Sequence, residues 1–115
     1  MNKEFITYEQ AFALKELGFD EPCFGYYDEG GNLYTEMQEY LPAPLYQQAF
    51  KWFREKYKLH PHICYFNDTN VWHGDIYKLE NGGLMNQPME LTNYKTYEEA
   101  EQACLNRLIE IVKNK

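Results

Sequence analysis

The stretch "ITYEQAFALKELGF" sets apolar Phe12, Ala13 and Leu17 at helical spacing among polar neighbours, which predicts a helix from about Tyr8 to Leu17. Thr7 precedes it as a capping residue and Gln10 stands three positions on, the signature of a capping box. Gly18 supplies the residue that can turn left-handed where the helix stops. The period then changes. "CFGYYDEGGNLYTEM" alternates, with Phe24, Tyr26 and Asp28 on one face and Gly25 and Tyr27 on the other, around a Gly-Gly-Asn turn. In a hairpin that pairs Asp28 with Leu33, Tyr27 faces Tyr34 and Phe24 faces Met37.

"LPAPLYQQAFKWFREKYKLHP" returns to the helical period, and Pro44 at the first helical position predicts a second helix from about Pro44 to Lys58. Tyr46, Ala49, Phe50, Phe53 and Tyr57 form its apolar stripe, which reads as core. Trp52 falls off that stripe and is expected to be partly exposed. "HICYFNDTNVWHGDIYKLENGGLMNQPMELTNYK" is rich in β-branched and aromatic residues and is broken twice by turn residues, so it predicts a three-stranded meander, with Pro88 weakening the third strand.

The chain ends on "KTYEEAEQACLNRLIEIVKNK", where Thr96 is the expected cap and Glu99 its reciprocal partner. Ala100, Cys104, Leu108 and Ile111 share one side, joined by Leu105 and Val112. The opening "TYEQA" and this "TYEEA" diverge at once after the shared pentapeptide, so they read as two capping boxes and not as a repeat. The order is α-β-β-α-β-β-β-α: an α+β fold in one domain spanning 1–115, with helices expected on one face of an antiparallel sheet.

At 115 residues the chain can bury one core, and 44% hydrophobic and 17% aromatic content suffice to fold it without staples. Three widely spaced cysteines, Cys23, Cys64 and Cys104, fit reduced thiols in a cytoplasmic setting better than a disulfide framework. Neither an export signal nor a membrane span is apparent, so no membrane partner is expected.

A net charge of -7 argues against wrapping a nucleic-acid backbone. The charge is uneven. From residue 4 to residue 39 nine acids face the single base Lys15, a net -8, whereas "KWFREKYK" carries Lys51, Arg54, Lys56 and Lys58 against Glu55. Such runs usually mark solvated faces, and otherwise docking surfaces.

The one clustering of ligand-type residues comes from strand pairing. With Phe66 opposite Val71, Cys64 faces His73 and His62 faces Asp75, so one face presents two imidazoles, a thiol and a carboxylate. His62, Cys64, His73 and Asp75 are therefore the candidate metal ligands. Read as a nucleophile with base and orienting acid, Cys64, His73 and Asp75 lack any indicated oxyanion hole. Nucleotide-binding, hydrolase, zinc-protease and calcium-loop motifs are absent, and "DEGGNLYTE" lacks the oxygen-ligand spacing of a calcium loop. No cofactor and no catalytic residue are implied. Glu36 and Glu39 read as surface acids. Tyr27, Tyr34, Trp52 and Trp72 are the candidate partner-contact aromatics, with at least half of them expected in the core.

The stretches "TYEQAFALKELGFDEPCFGYY", "PAPLYQQAFKWFREKY" and "YEEAEQACLNRLIEIV" resemble a group of small uncharacterised proteins encoded by phages and prophage-like elements of gut bacteria. The resemblance implies a mobile-element origin and an accessory role, and it lends no catalytic motif. A protein-interaction module is thus the first functional expectation. A metal-binding protein or enzyme on the hairpin face is the alternative. Single-strand nucleic-acid binding through the aromatic sheet and the basic helix comes third.

Overall fold

The computed structural model describes residues 4–35, 41–80, 83–84 and 89–114. Three helices, α1 (Tyr8–Glu16), α2 (Tyr46–Tyr57) and α3 (Tyr97–Lys113), combine with two antiparallel sheets in an α+β globule. The helices and main strands follow the expected order, and short strands β3 (Leu41–Ala43) and β6 (Gly83–Leu84) join them. The first sheet has the order β2-β1-β3, from β1 (Gly25–Tyr27) and β2 (Leu33–Tyr34). In the second, β5 (Val71–Glu80) pairs along its length with β4 (Leu59–Phe66) and also pairs with β6 and β7 (Met89–Tyr94).

Helix α1 begins as its sequence predicts: Thr7 Oγ accepts from the Gln10 amide and Gln10 Oε1 accepts from the Thr7 amide. It stops at Gly18, whose φ of +99° is left-handed and whose N–H donates to the Lys15 carbonyl. Its buried face differs from the apolar reading. Gln10, Ala11 and Leu14 are buried, Ala13 and Leu17 are only half-buried, and Phe12 is exposed. The reason is Gln10, 3% exposed, which is polar yet faces inward because every hydrogen-bonding atom of its amide has a partner. Oε1 also accepts from the Tyr46 hydroxyl, and Nε2 donates to the Gln102 carbonyl and to Asn106 Oδ1, so this one side chain ties all three helices together.

The β1–β2 hairpin is one residue out from the expected register: Tyr26 faces Tyr34 and Tyr27 faces Leu33. Asp28 sets this by closing the loop early. Its amide donates to the Asn32 carbonyl, and its carboxylate accepts from the Gly30 and Asn32 amides. A three-residue loop with Gly31 at φ +81° results. Met37 lies outside the described residues. Gly25 is required here, since a Cβ would stand 2.7 Å from the Phe5 ring.

Helix α2 starts at Tyr46, two residues later than expected, with Leu45 as its cap. The N-terminal segment explains the delay. Phe5 bridges Leu45, the Pro44 carbonyl accepts from the Ile6 amide, and the Tyr46 amide donates to the Glu4 carbonyl, so Pro44 is held in extended pairing. Trp52, 6% exposed, is core and not a half-exposed residue. Phe19, Phe53 and Tyr57 surround its ring edge to face or nearly so, and Lys56 Nζ lies 5.2 Å above it.

The core joins Ile6, Leu14, Leu41, Phe53, Leu59, Ile76, Cys104, Leu105 and Leu108. Burying such side chains contributes roughly 1.5–3 kcal/mol each. Pro88 lies outside the described residues, and β7 begins immediately after it at Met89. Helix α3 crosses the second sheet, where Tyr97 stacks edge-on against Trp72.

Candidate functional sites on the hairpin and at the start of α3

The β4–β5 register agrees with the sequence expectation at every named pair: Phe66 faces Val71, Cys64 faces His73 and His62 faces Asp75. Directly opposed residues of an antiparallel pair project to the same side, as do residues two apart. All four candidate ligands therefore share one face, while Leu59, Pro61 and Ile63 with Ile76 serve the core face.

One donor atom each from His62, Cys64 and Asp75 lie within 4.8 Å of one another. Burial is graded across the group: His62 is exposed, Cys64 half-buried and Asp75 8% exposed. His73 Nε2 is 3.4 Å from Asp75 Oδ1 without forming a hydrogen bond to it, and among the described residues that buried oxygen has no hydrogen-bond partner. Burial, with Asp75 adding, holds the Cys64 thiol above its ordinary pKa. A protonated thiol is a poor nucleophile, which counts against a Cys64–His73 catalytic pair.

A second constellation was missed by the sequence reading. Glu4, Tyr46, Tyr97, Glu98 and Glu101 line a cleft of about 590 Å³ with Leu45 and Gln47, at the junction of the N-terminal segment, the start of α2 and the first turns of α3. Three of these seven residues are carboxylates and none is a base. Glu101 is 6% exposed and its carboxyl is pushed up to about 7, chiefly by burial, with the charge of Glu98 adding and a hydrogen bond with Tyr97 opposing. Its signal was present in the sequence. Glu101 stands three, four and seven residues before Cys104, Leu105 and Leu108, so it occupies an inward position of the α3 stripe.

Of the four candidate partner-contact aromatics, Tyr27 and Trp52 are core residues, too buried to meet a partner. Tyr27 donates its hydroxyl to the Ile6 carbonyl at 2.7 Å, inside the protein. Trp72 is half-buried between Tyr65 and Tyr97, and Tyr34 is exposed. The other exposed aromatic rings among the described residues are Phe24, 73% exposed, and Phe12, Tyr65 and Phe66. Glu36 and Glu39 lie outside the described residues.

All three cysteines are free thiols, and burial pushes both Cys23 and Cys104 up to about 12. Among the described residues no helix is long and apolar enough to cross a membrane. Comparison with protein-family models, with curated proteins and with solved structures gives no match.

Proposed function

We propose that the protein is a non-catalytic interaction module that receives a basic side chain of a partner protein in the cleft at the start of α3. The observation that carries this reading is the set of three carboxylates, Glu4, Glu98 and Glu101, around one cleft that no base lines among the described residues. Among the described residues Glu101 has no ion-pair partner, and its raised carboxyl records the cost of a charge held out of water. A guanidinium or ammonium entering the cleft would offset that cost, and the Tyr46 and Tyr97 rings and hydroxyls would offer it further contacts. The net charge of -7 would speed the encounter with a basic partner. An intracellular setting, which the three unpaired cysteines favour, and an accessory role in a mobile element, which the resemblance implies, belong to the same proposal.

Affinity purification from lysate with nuclease present, comparing the wild-type chain with Glu98→Gln/Glu101→Gln, tests it. The expected result is a stoichiometric protein partner held by the wild type, released by salt and at least tenfold depleted on the variant. Equal capture by both chains would sink the reading. Capture that disappears with nuclease would favour nucleic acid on the basic face of α2, where Lys51 and Arg54 border a separate hollow of about 380 Å³.

A further inference from the structure

The geometry points to a transition-metal site on the outward face of the β4–β5 hairpin: we infer that His62, Cys64 and Asp75 bind one zinc-class divalent ion, with His73 positioning the Asp75 carboxylate. This assignment is independent of the cleft at the start of α3 and shares no residue with it.

The argument begins from spacing. Zinc bonds of about 2.0 Å to nitrogen or oxygen and about 2.3 Å to thiolate sulfur imply tetrahedral donor separations of roughly 3.3–3.8 Å. The three donors already lie within 4.8 Å of one another, so rotamer adjustment of about 1 Å completes the set. His62, being exposed, is free to make it, whereas Asp75 is held in place by burial. Two paired strands of eight and ten residues carry all three, which fixes the donors more firmly than a loop would.

The second observation is the orphaned oxygen. A buried carboxylate oxygen without a hydrogen bond is costly and uncommon in folded proteins, and Asp75 Oδ1 is the one such side-chain atom among the described residues. A cation bound there supplies the missing partner. His73, 3.4 Å away, stands where a ligating carboxylate is ordinarily steadied by a neighbouring donor.

The donor types choose the metal. Imidazole, thiolate and a single carboxylate suit zinc and its neighbours in the first transition row, and they suit magnesium and calcium poorly. On binding, Cys64 would give its proton to solvent and coordinate as thiolate. Three protein ligands leave a fourth position for water.

The test uses the full chain and cobalt(II) as a spectroscopic stand-in for zinc. Expected is a thiolate-to-cobalt charge-transfer absorption that saturates at one equivalent, is displaced by zinc but not by magnesium, and is lost in Cys64→Ser. His62→Ala, which alters an exposed side chain and so leaves the fold intact, should weaken cobalt binding at least tenfold. His73→Gln should weaken it less. The absence of a charge-transfer band in the wild type would overturn the assignment. So would a band that survives Cys64→Ser, which would place the metal on another thiol, or binding unchanged in His62→Ala.

Discussion

Glu101 and Asp75 are buried to nearly the same extent, 6% and 8% exposed, yet they sit in opposite company. Around Glu101 are other acids and two tyrosines, and one of these, Tyr97, hydrogen-bonds its carboxylate. Around Asp75 are imidazoles and a thiol, and its Oδ1 has no hydrogen bond among the described residues. Both are deficits of positive charge, but they select different cations. A cleft of carboxylates and aromatic rings fits an organic cation of side-chain size, whereas nitrogen, sulfur and oxygen donors gathered within 4.8 Å of one another fit a bare metal ion. Burial alone does not define a site, and the neighbouring donors decide what it takes.

The largest effect that would sharpen this comparison lies in the pH dependence of stability. In the folded chain the Glu101 carboxyl is held at about 7 against an ordinary value of 4.5, so the folded state binds that proton more tightly than the unfolded state. The contribution to stability is full below 4.5 and is lost as pH rises through about 7. Denaturant unfolding across this range should show wild type losing about 2–3 kcal/mol relative to Glu101→Gln. Taking the difference between the two chains removes the opposite slope from His60, whose imidazole is held below its ordinary value chiefly by burial, with the charges of Arg54 and His62 adding. A flat difference would mean that Glu101 is solvated, and the parallel with Asp75 would fail.

The next effect concerns Asp75. With a chelator present, Asp75→Asn should stabilise the protein by about 1 kcal/mol, because the new amide can donate to His73 Nε2 and ends the orphaned state of the carboxylate oxygen. With zinc added the order should reverse, the wild type gaining in melting temperature and the variant not. A variant that is less stable than wild type under both conditions would show that Asp75 is already satisfied, and the hairpin would be an ordinary polar sheet surface.

What the sequence disclosed follows the same physical lines. The β4–β5 register was legible because the turn residues at 67–70 bring Phe66 opposite Val71, and the pairing that follows puts Leu59, Pro61, Ile63 and Ile76 on the core. The β1–β2 register was not, since three-residue and two-residue strands carry too little pattern to outweigh the Asp28 loop. The two capping boxes divide in the same way. Thr7 and Gln10 form the full box, but at Thr96 only one half of it is present. Glu99 accepts from the Thr96 hydroxyl and not from its amide, and it remains at the surface. Gln10, by contrast, can both donate and accept, which allows it to be buried against α2 and α3. Glu101 escaped notice because a carboxylate on an apolar stripe is read as surface until the packing of α3 on its neighbours is known.

The smallest effect tests whether the acids of the cleft act on one another at all. Glu98 lies in the first turn of α3, where a negative charge is favoured by the helix dipole, but its charge also helps to raise the carboxyl of Glu101. Glu98→Gln removes both influences, and pH separates them. The dipole contribution is lost at every pH at which Glu98 is ionised, whereas the repulsion is relieved only where Glu101 is ionised as well. The variant should therefore be less stable than wild type by roughly 0.3–0.5 kcal/mol near the acid end of the range and approach it above about 7. The Glu101 midpoint, followed by carboxyl-carbon NMR, should move toward 4.5 at the same time. A midpoint that stays in place would mean that Glu98 points its charge into solvent, and the cleft would then offer a basic side chain the carboxylates of Glu4 and Glu101 alone.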